Sequence, residues 1–430
     1  VALVGGSLQG VEAAYLAHKA GWETLLIDKK SIVPASGLCD IFVQLDVTQI
    51  ERLDPVFKNV DLVIPTTENA QALNSLVQWS RSSDIPLVFD ADAYKISSSK
   101  RESDRLFAGI GIPAPLPWPG CGFPLIAKPV SGSGSKNIQL FHNQKQLEKR
   151  FPSLPTNDWV LQEYVEGPSY SLEIIGHPHN YTALQVTDLE MDDRYDCKRV
   201  QAPTQLSLKH ITQLEKISLK IAKTLQLKGL MDVEVILHNN QLKVLEIDAR
   251  LPSQTPTAVY WSSGINMLEL LAQFFLKKQK LEKLNKSHRE HRGHREKISH
   301  NSLVLSQSQQ GVIYEHIKVT SDAVEVCGEH IMTQGGPLKL HTDFFGADEA
   351  ITNYAPGQNQ WIAALIIPGI NRSQACQKRN QIIKNIQDHF KLNIFKDFTP
   401  KNVAIANNND YNSTSRNKTN KVEGLDLSSP

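Results

Sequence analysis

Residues Leu245-Glu246-Ile247-Asp248-Ala249-Arg250 alternate apolar and charged side chains without a break. A strand shows every second side chain on one face, so Glu246, Asp248 and Arg250 project together while their neighbours face a core. Upstream, Met231-Asp232-Val233-Glu234-Val235 repeats the alternation, and His238-Asn239-Asn240 joins the two runs by a short turn. A hairpin therefore brings Glu234 beside Glu246 and Asp248. Carboxylates crowded on one face repel each other unless a cation sits among them, and the adjacent arginine calls for an anion. Magnesium and a phosphate meet both needs. A pair of salt-bridged surface strands is the alternative reading.

The front of the chain has a different rhythm. Val1 to Val4 reads as a buried strand running into Gly5-Gly6-Ser7-Leu8-Gln9-Gly10, followed by a helical pattern from Val11 to Lys19. Further strands end at Asp28, at Asp46 and at Ile64. Strands alternating with helices indicate a parallel sheet with crossover helices, so residues 1–90 form an α/β, Rossmann-like domain. Five prolines between 113 and 124 mark an irregular connection, after which strands follow one another as in an α+β module with antiparallel sheets. The expected division is 1–90, a second domain over 91–276, a basic insert over 277–305, a C-terminal α+β part over 306–400 and a disordered tail over 401–430. In the basic stretch His288, His291 and His294 recur every third residue, but Gly293 interrupts it and no apolar stripe accompanies it. A solvated face is preferred there over a metal or RNA site.

Two lysines have phosphate-binding potential. Lys128 ends the strand Leu125-Ile126-Ala127 and precedes Ser131-Gly132-Ser133-Gly134-Ser135, a Gly/Ser flap whose backbone N–H groups can close over phosphates. The loop lacks the GK[ST] ending of a Walker A motif. Lys100 lies in a serine turn before a helix. Between strands, Gln162-Glu163-Tyr164-Val165-Glu166-Gly167 can present backbone groups to an adenine edge.

This order of features resembles the ATP-grasp superfamily: lysine before a helix, lysine plus flap, the E-Y-V hinge, then D-V-E and E-I-D-A-R. The resemblance spans residues 1–275, and the α/β domain in front is part of it. Within the superfamily, LEIDARLPSQTPTAVYWSSGINMLELL from Leu245 to Leu271 is similar to the ligases of pyrrolysine biosynthesis. Those enzymes join 3-methylornithine to the ε-amine of L-lysine. The fold implied is an ATP-grasp fold, α/β and α+β, with a Rossmann-like domain before it and a C-terminal domain after it. ATP and Mg²⁺ are the implied cofactors and two amino acids the substrates.

The resemblance also implies roles. Lys100 and Lys128 hold phosphates, and Glu163, Tyr164 and Val165 hold adenine. Ser171, Leu172 and Glu173 line the junction of nucleotide and activated acid. Glu234, Glu246 and Asp248 bind magnesium. Asp232 and the run Arg250, Leu251, Pro252, Ser253, Gln254 and Thr255 hold methylornithine. Leu8, Gln9 and Glu68 receive lysine. Apart from the resemblance, Glu68 is the candidate to orient the amine; Glu329 is a weaker one, for which a plain surface acid is the preferred reading. The carboxylate that members commonly place after the hinge for ribose is replaced around Pro168-Ser169. In the mechanism implied, the acid attacks the γ-phosphorus while Lys128 and Arg250 neutralise charge, and the lysine ε-amine, with a reference pKa of about 10.4, loses a proton before attacking. A second nucleotide could use Asp28, Asp46 and Val47 in the front domain, as acids do beyond glycine turns; an empty relic of the fold is the equal alternative.

Bulk properties exclude other classes. A net charge of +1 over 430 residues argues against a partner made of nucleic acid. No apolar run approaches the ~20 residues that span a bilayer. The five cysteines are scattered, with no CxxC pair, which argues against zinc knuckles and disulfide frameworks. With no secretory signal at the front, a cytoplasmic location is the expectation. A nicotinamide oxidoreductase is the rival class, but its fingerprint is imperfect because the spacing is G-G-x-x-x-G. A non-catalytic nucleotide-binding regulator is a second rival.

Overall fold

The computed structural model describes residues 1–132, 137–153, 157–276 and 309–400. The segments 277–305 and 401–430, with the histidine-bearing stretch and the tail, lie outside the described residues, as do Ser133, Gly134 and Ser135 of the flap.

The front domain is the expected parallel sheet. Its strands Ala2–Val4, Leu25–Asp28, Ile41–Gln44 and Val63–Pro65 lie in the order third, second, first, fourth. The glycine turn is fixed by packing inside this domain. A Cβ on Gly10 would fall 2.2 Å from the Gly5 carbonyl oxygen, and one on Gly6 would fall 2.3 Å from Val33. The helix Leu8–Ala20 that follows is buried along nearly its whole length, with Val11, Ala13, Ala14, Leu16 and Ala17 in a core that also holds Ile175, Val259, Met267 and Ile351. A helix apolar nearly all round belongs between layers. This one is wedged between the front sheet and the rest of the molecule.

A three-stranded antiparallel sheet, Gln139–Phe141, Leu125–Pro129 and Trp159–Glu163, carries Lys128. The remaining strands form one twelve-stranded sheet among the described residues. It runs from the hairpin Gly229–His238 and Gln241–Asp248 through Ser169–His177, Thr187–Met191 and Cys197–Ala202. There it passes without a break into Gly311–Val319, because Ala202 pairs with Val312 and Arg199 with Glu315. The C-terminal strands thus continue the central sheet. No helix among the described residues is long and apolar enough to cross a membrane.

The hairpin turn is Asn239-Asn240, both residues at positive φ (48° and 61°) and flanked by the pair His238 and Gln241. That is the two-residue turn of the hand that suits twisted strands, and asparagine tolerates it better than most side chains. Downstream, the pairing steps from Val235–Val244 to Glu234–Glu246, so Leu245 is an inserted residue, a bulge. It rotates the strand so that Lys243, Glu246 and Asp248 share one face.

Candidate active site

Register alone assembles the site. In one row across three adjacent strands stand Glu173, Asp232 and Asp248, and in the next row Ser171, Glu234 and Glu246. A third row holds Ser169, Ile236 and Lys243. Five carboxylates therefore occupy one face, and like charges directly opposite in a sheet destabilise it. The opposite face, with Leu172, Val233, Val235, Val244 and Ile247, is core. Leu172 consequently turns its side chain away from the site.

Burial is the main influence on these acids. It lifts Asp232 and Glu234 well above the carboxylate range, with neighbouring carboxylates adding to the effect. It raises Glu173, which is fully buried, in the same way. It pushes Asp248 up to about 7 although Arg250 pulls the other way. Both carboxylate oxygens of Glu173 and Oδ1 of Asp248 are buried without a hydrogen-bond partner of good geometry. Ser171 donates its hydroxyl to Asp232. A hard dication fits this face: the donors are all oxygen, they carry excess negative charge, and several have no other partner.

Cations close over it. Lys100 begins the helix Lys100–Gly109, and its Nζ lies 2.7 Å from the Gly132 carbonyl and 3.3 Å from Glu246 Oε1. Lys128 is only 8% exposed. Burial lowers its pKa, against the pull of Glu246, Asp104 and Glu234. Asp104, one helical turn beyond Lys100, is itself pushed up to about 6 by burial despite both lysines. It was not singled out in the sequence, although an acid four residues after the lysine on a helix is a readable signal.

At the hinge, Lys243 Nζ reaches both oxygens of Glu163, at 2.6 and 2.5 Å, and the Leu116 N–H donates to the same carboxylate at 3.0 Å. Burial alone would raise Glu163, but these bonds hold it below the usual value. Its backbone N–H is bonded to the Leu116 carbonyl. Val165 is buried, and the Tyr164 hydroxyl lies 3.2 Å from that of Tyr195.

Arg250 joins the acid face to the front domain. Its Nη2 is 2.6 Å from Asp248 Oδ2 and also pairs with Glu68, whose Oε1 accepts from Gln9 Nε2 at 2.9 Å. Gln9, Glu68, Arg250 and Asp248 therefore form one polar chain, with Leu8 half-buried at its end. Beyond it, Leu251 and Pro252 are buried, and Gln254 takes φ 73° and ψ −55° with the Thr255 N–H donating to the Ser253 carbonyl at 2.9 Å. This is the rarer, strained hand of γ-turn. Glu329, across the turn, is raised by burial and held back by hydrogen bonds with Ser253 and Gln254.

The three front-domain candidates stand apart. Asp28 accepts from the Gly6 N–H at 2.8 Å and the Lys30 N–H at 2.9 Å, so its carboxylate braces the glycine turn. Asp46 accepts from the N–H and hydroxyl of Thr48. Val47 belongs to the front core. A residue missed in the sequence, Glu12, reaches the helix start just after the γ-turn instead: its Oε1 accepts the Thr257 N–H at 2.6 Å. An acid in the apolar run Val11 to Ala17 was the signal for it.

Comparison with known proteins agrees with this geometry. Residues 98–254 match the ATP-grasp domain family. A 3-methyl-D-ornithine–L-lysine ligase from Methanosarcina mazei is 35% identical over 392 residues, covering 91% of this chain and 96% of its own. Its namesake from Methanosarcina barkeri is 40% identical over 276 residues, 64% of this chain and 73% of its own. The biotin carboxylase domain of the Hydrogenobacter thermophilus 2-oxoglutarate carboxylase, solved with MgADP, ADP and bicarbonate, superposes with a TM-score of 0.65 at 14% identity, covering 89% of each chain. That likeness concerns the fold. The chain belongs to the ATP-grasp enzymes and, within them, to the family of 3-methyl-D-ornithine–L-lysine ligases.

Proposed function

We propose that this ligase activates the carboxyl group of 3-methyl-D-ornithine with ATP as an acyl phosphate and joins it to the ε-amine of L-lysine. ADP and phosphate are released, and the product is the isopeptide used in pyrrolysine biosynthesis. The observation that carries the reading is the two-row acid face capped by Lys100, Lys128 and Arg250, in a chain similar over 91% of its length to a ligase of that name.

Glu234, Glu246 and Asp248 are the residues to hold magnesium, which when bound neutralises charge on the phosphates. Lys100 and Lys128 would pair with the phosphate oxygens, an attraction that grows as the phosphoryl group transfers. The hinge around Glu163, Tyr164 and Val165 takes the adenine, with Lys243 fixing the Glu163 side chain. Arg250 orients the acid carboxylate while anchored by Asp248 and Glu68. Ser253, Gln254 and Thr255 line the remainder of that substrate's seat, with Asp232 placed for an ammonium.

Lysine enters from the front-domain side, past Leu8, Gln9 and Glu68. Its amine must be neutral to attack. Glu68 is the candidate to orient that amine, and Glu329, whose pKa is raised by burial, is the weaker candidate to take its proton.

The test is ADP release by the full chain with each amino acid alone and with both, followed by product mass measurement. Dependence on both amino acids and a product mass equal to their sum less water is expected. ADP release indifferent to either amino acid, or a product lacking lysine, overturns the assignment.

A further inference from the structure

Glu12 lies on the front helix, 1% exposed, among apolar neighbours. Burying a carboxylate there is costly unless it is bonded. Its partner is the N–H of Thr257, 245 residues later in the chain, and the backbone of Gln254 also helps to hold its charge. Thr257 lies in the first turn of the helix Thr255–Ser263, whose leading N–H groups have no partner within the helix. The local sequence does not cap this helix. Gln254 precedes it at positive φ and makes no side-chain cap bond, because its Nε2 turns to the Cys197 carbonyl at 3.3 Å. A side chain from another domain does the capping.

The capped helix begins where the segment from Arg250 to Thr255 ends. Gln254 Oε1 is buried there without a hydrogen-bond partner. Glu329 also bears on Ser253 and Gln254. Two carboxylates thus bear on the strained turn and the helix start after it, one from each flanking part of the chain.

We infer that Glu12 is a positioning residue for the activated amino acid: it fixes the Ser253–Thr255 turn and through it the segment that receives that substrate. The inference rests on the ligase reading above. Glu12 acts as a hydrogen-bond acceptor at a set reach, so what it supplies is geometry.

The test uses Glu12→Gln and Glu12→Ala in the full chain, with ADP release measured against 3-methyl-D-ornithine at saturating lysine and ATP. Gln keeps an acceptor oxygen at the same reach. Glu12→Ala is expected to raise KM for the activated amino acid about tenfold or more while KM for ATP stays within about threefold, since small misplacements at a reacting centre are costly. Glu12→Gln is expected to stay near wild type. A Glu12→Ala protein with wild-type KM and only a lower melting temperature overturns the inference, since the bond is then structural support alone. Glu12→Gln failing as badly as Glu12→Ala also overturns it, because charge would then matter in place of reach. If Glu12→Ala does not fold, Glu12→Asp decides: it keeps the charge and shortens the reach, so a wild-type KM in it sinks the idea. A wild-type protein with no amino-acid-dependent ADP release would instead remove the ligase reading.

Discussion

Glu68 and Arg250 stand 182 residues apart in the chain and form an ion pair that bridges the front domain and the acid-bearing hairpin. Glu68 was expected to face the lysine amine; it also holds the arginine that faces the acid. On the proposed assignment of Arg250 to the acid and Glu68 to the amine, it would lie between the two substrates. Glu68→Gln should therefore affect both half-reactions unequally. Lysine-dependent amide formation should fall by about tenfold or more, whereas acyl phosphate trapped with hydroxylamine should fall by only about threefold, because Asp248 still anchors Arg250. Equal losses in the two assays would show that Glu68 acts through Arg250 alone.

Asp248→Ala removes one acid from a crowded face. Ligation should drop by about 10²-fold or more, since a charge that holds the cation is lost. Turnover restored to the wild-type rate by excess magnesium would contradict the assignment.

Stability should fall as pH rises in the absence of divalent cation. Glu12 and Asp248 are held at about 7 in the folded chain, against ordinary values of 4.5 and 3.8. Between those limits the folded state binds protons that the unfolded chain has released, so raising the pH favours unfolding. Melting in chelator at about pH 8 should lie roughly 5 °C or more below that at about pH 5. Magnesium competes with the proton on Asp248 and should reduce the dependence. A melting temperature that climbs from the acid to the neutral side in chelator would refute this.

The hairpin turn offers a gain. Asn240 holds φ 61°, which glycine adopts without penalty and which is preferred at the second position of such a turn. Asn240→Gly should stabilise the protein by about 0.5 kcal/mol, read as a small rise in melting temperature, with KM values unchanged. A loss of stability would show that the Asn240 side chain does more than tolerate the turn.

The hairpin acids were readable because strand periodicity and a two-residue turn are local properties, and Glu234, Glu246 and Asp248 follow from them. Arg250 follows from the same alternation, whereas Lys128 was marked by the Gly/Ser loop after its strand and Lys100 by the resemblance alone. Lys243 was not, because parity places it opposite Glu246 until the bulge at Leu245 is known. Glu173 was named, but its place in a row with Asp232 and Asp248 depends on a strand some sixty residues upstream pairing in one register. Leu172 was named alongside it, and the same pleat that brings Glu173 in turns Leu172 out. Asp28 looked like a ribose ligand from its spacing, and only tertiary structure shows it bonded to Gly6. Glu12 required knowing which helix starts against it.

The unbroken sheet has a consequence for anyone recombining these enzymes. Because Cys197–Ala202 shares its ladder with Gly311–Val319, a chimera spliced between them inherits a foreign register on one side and unsatisfied backbone groups on the other. Parts of this ligase cannot be exchanged at that seam as if they were cartridges; the crossover must fall outside the shared ladder, where no backbone pairing is divided.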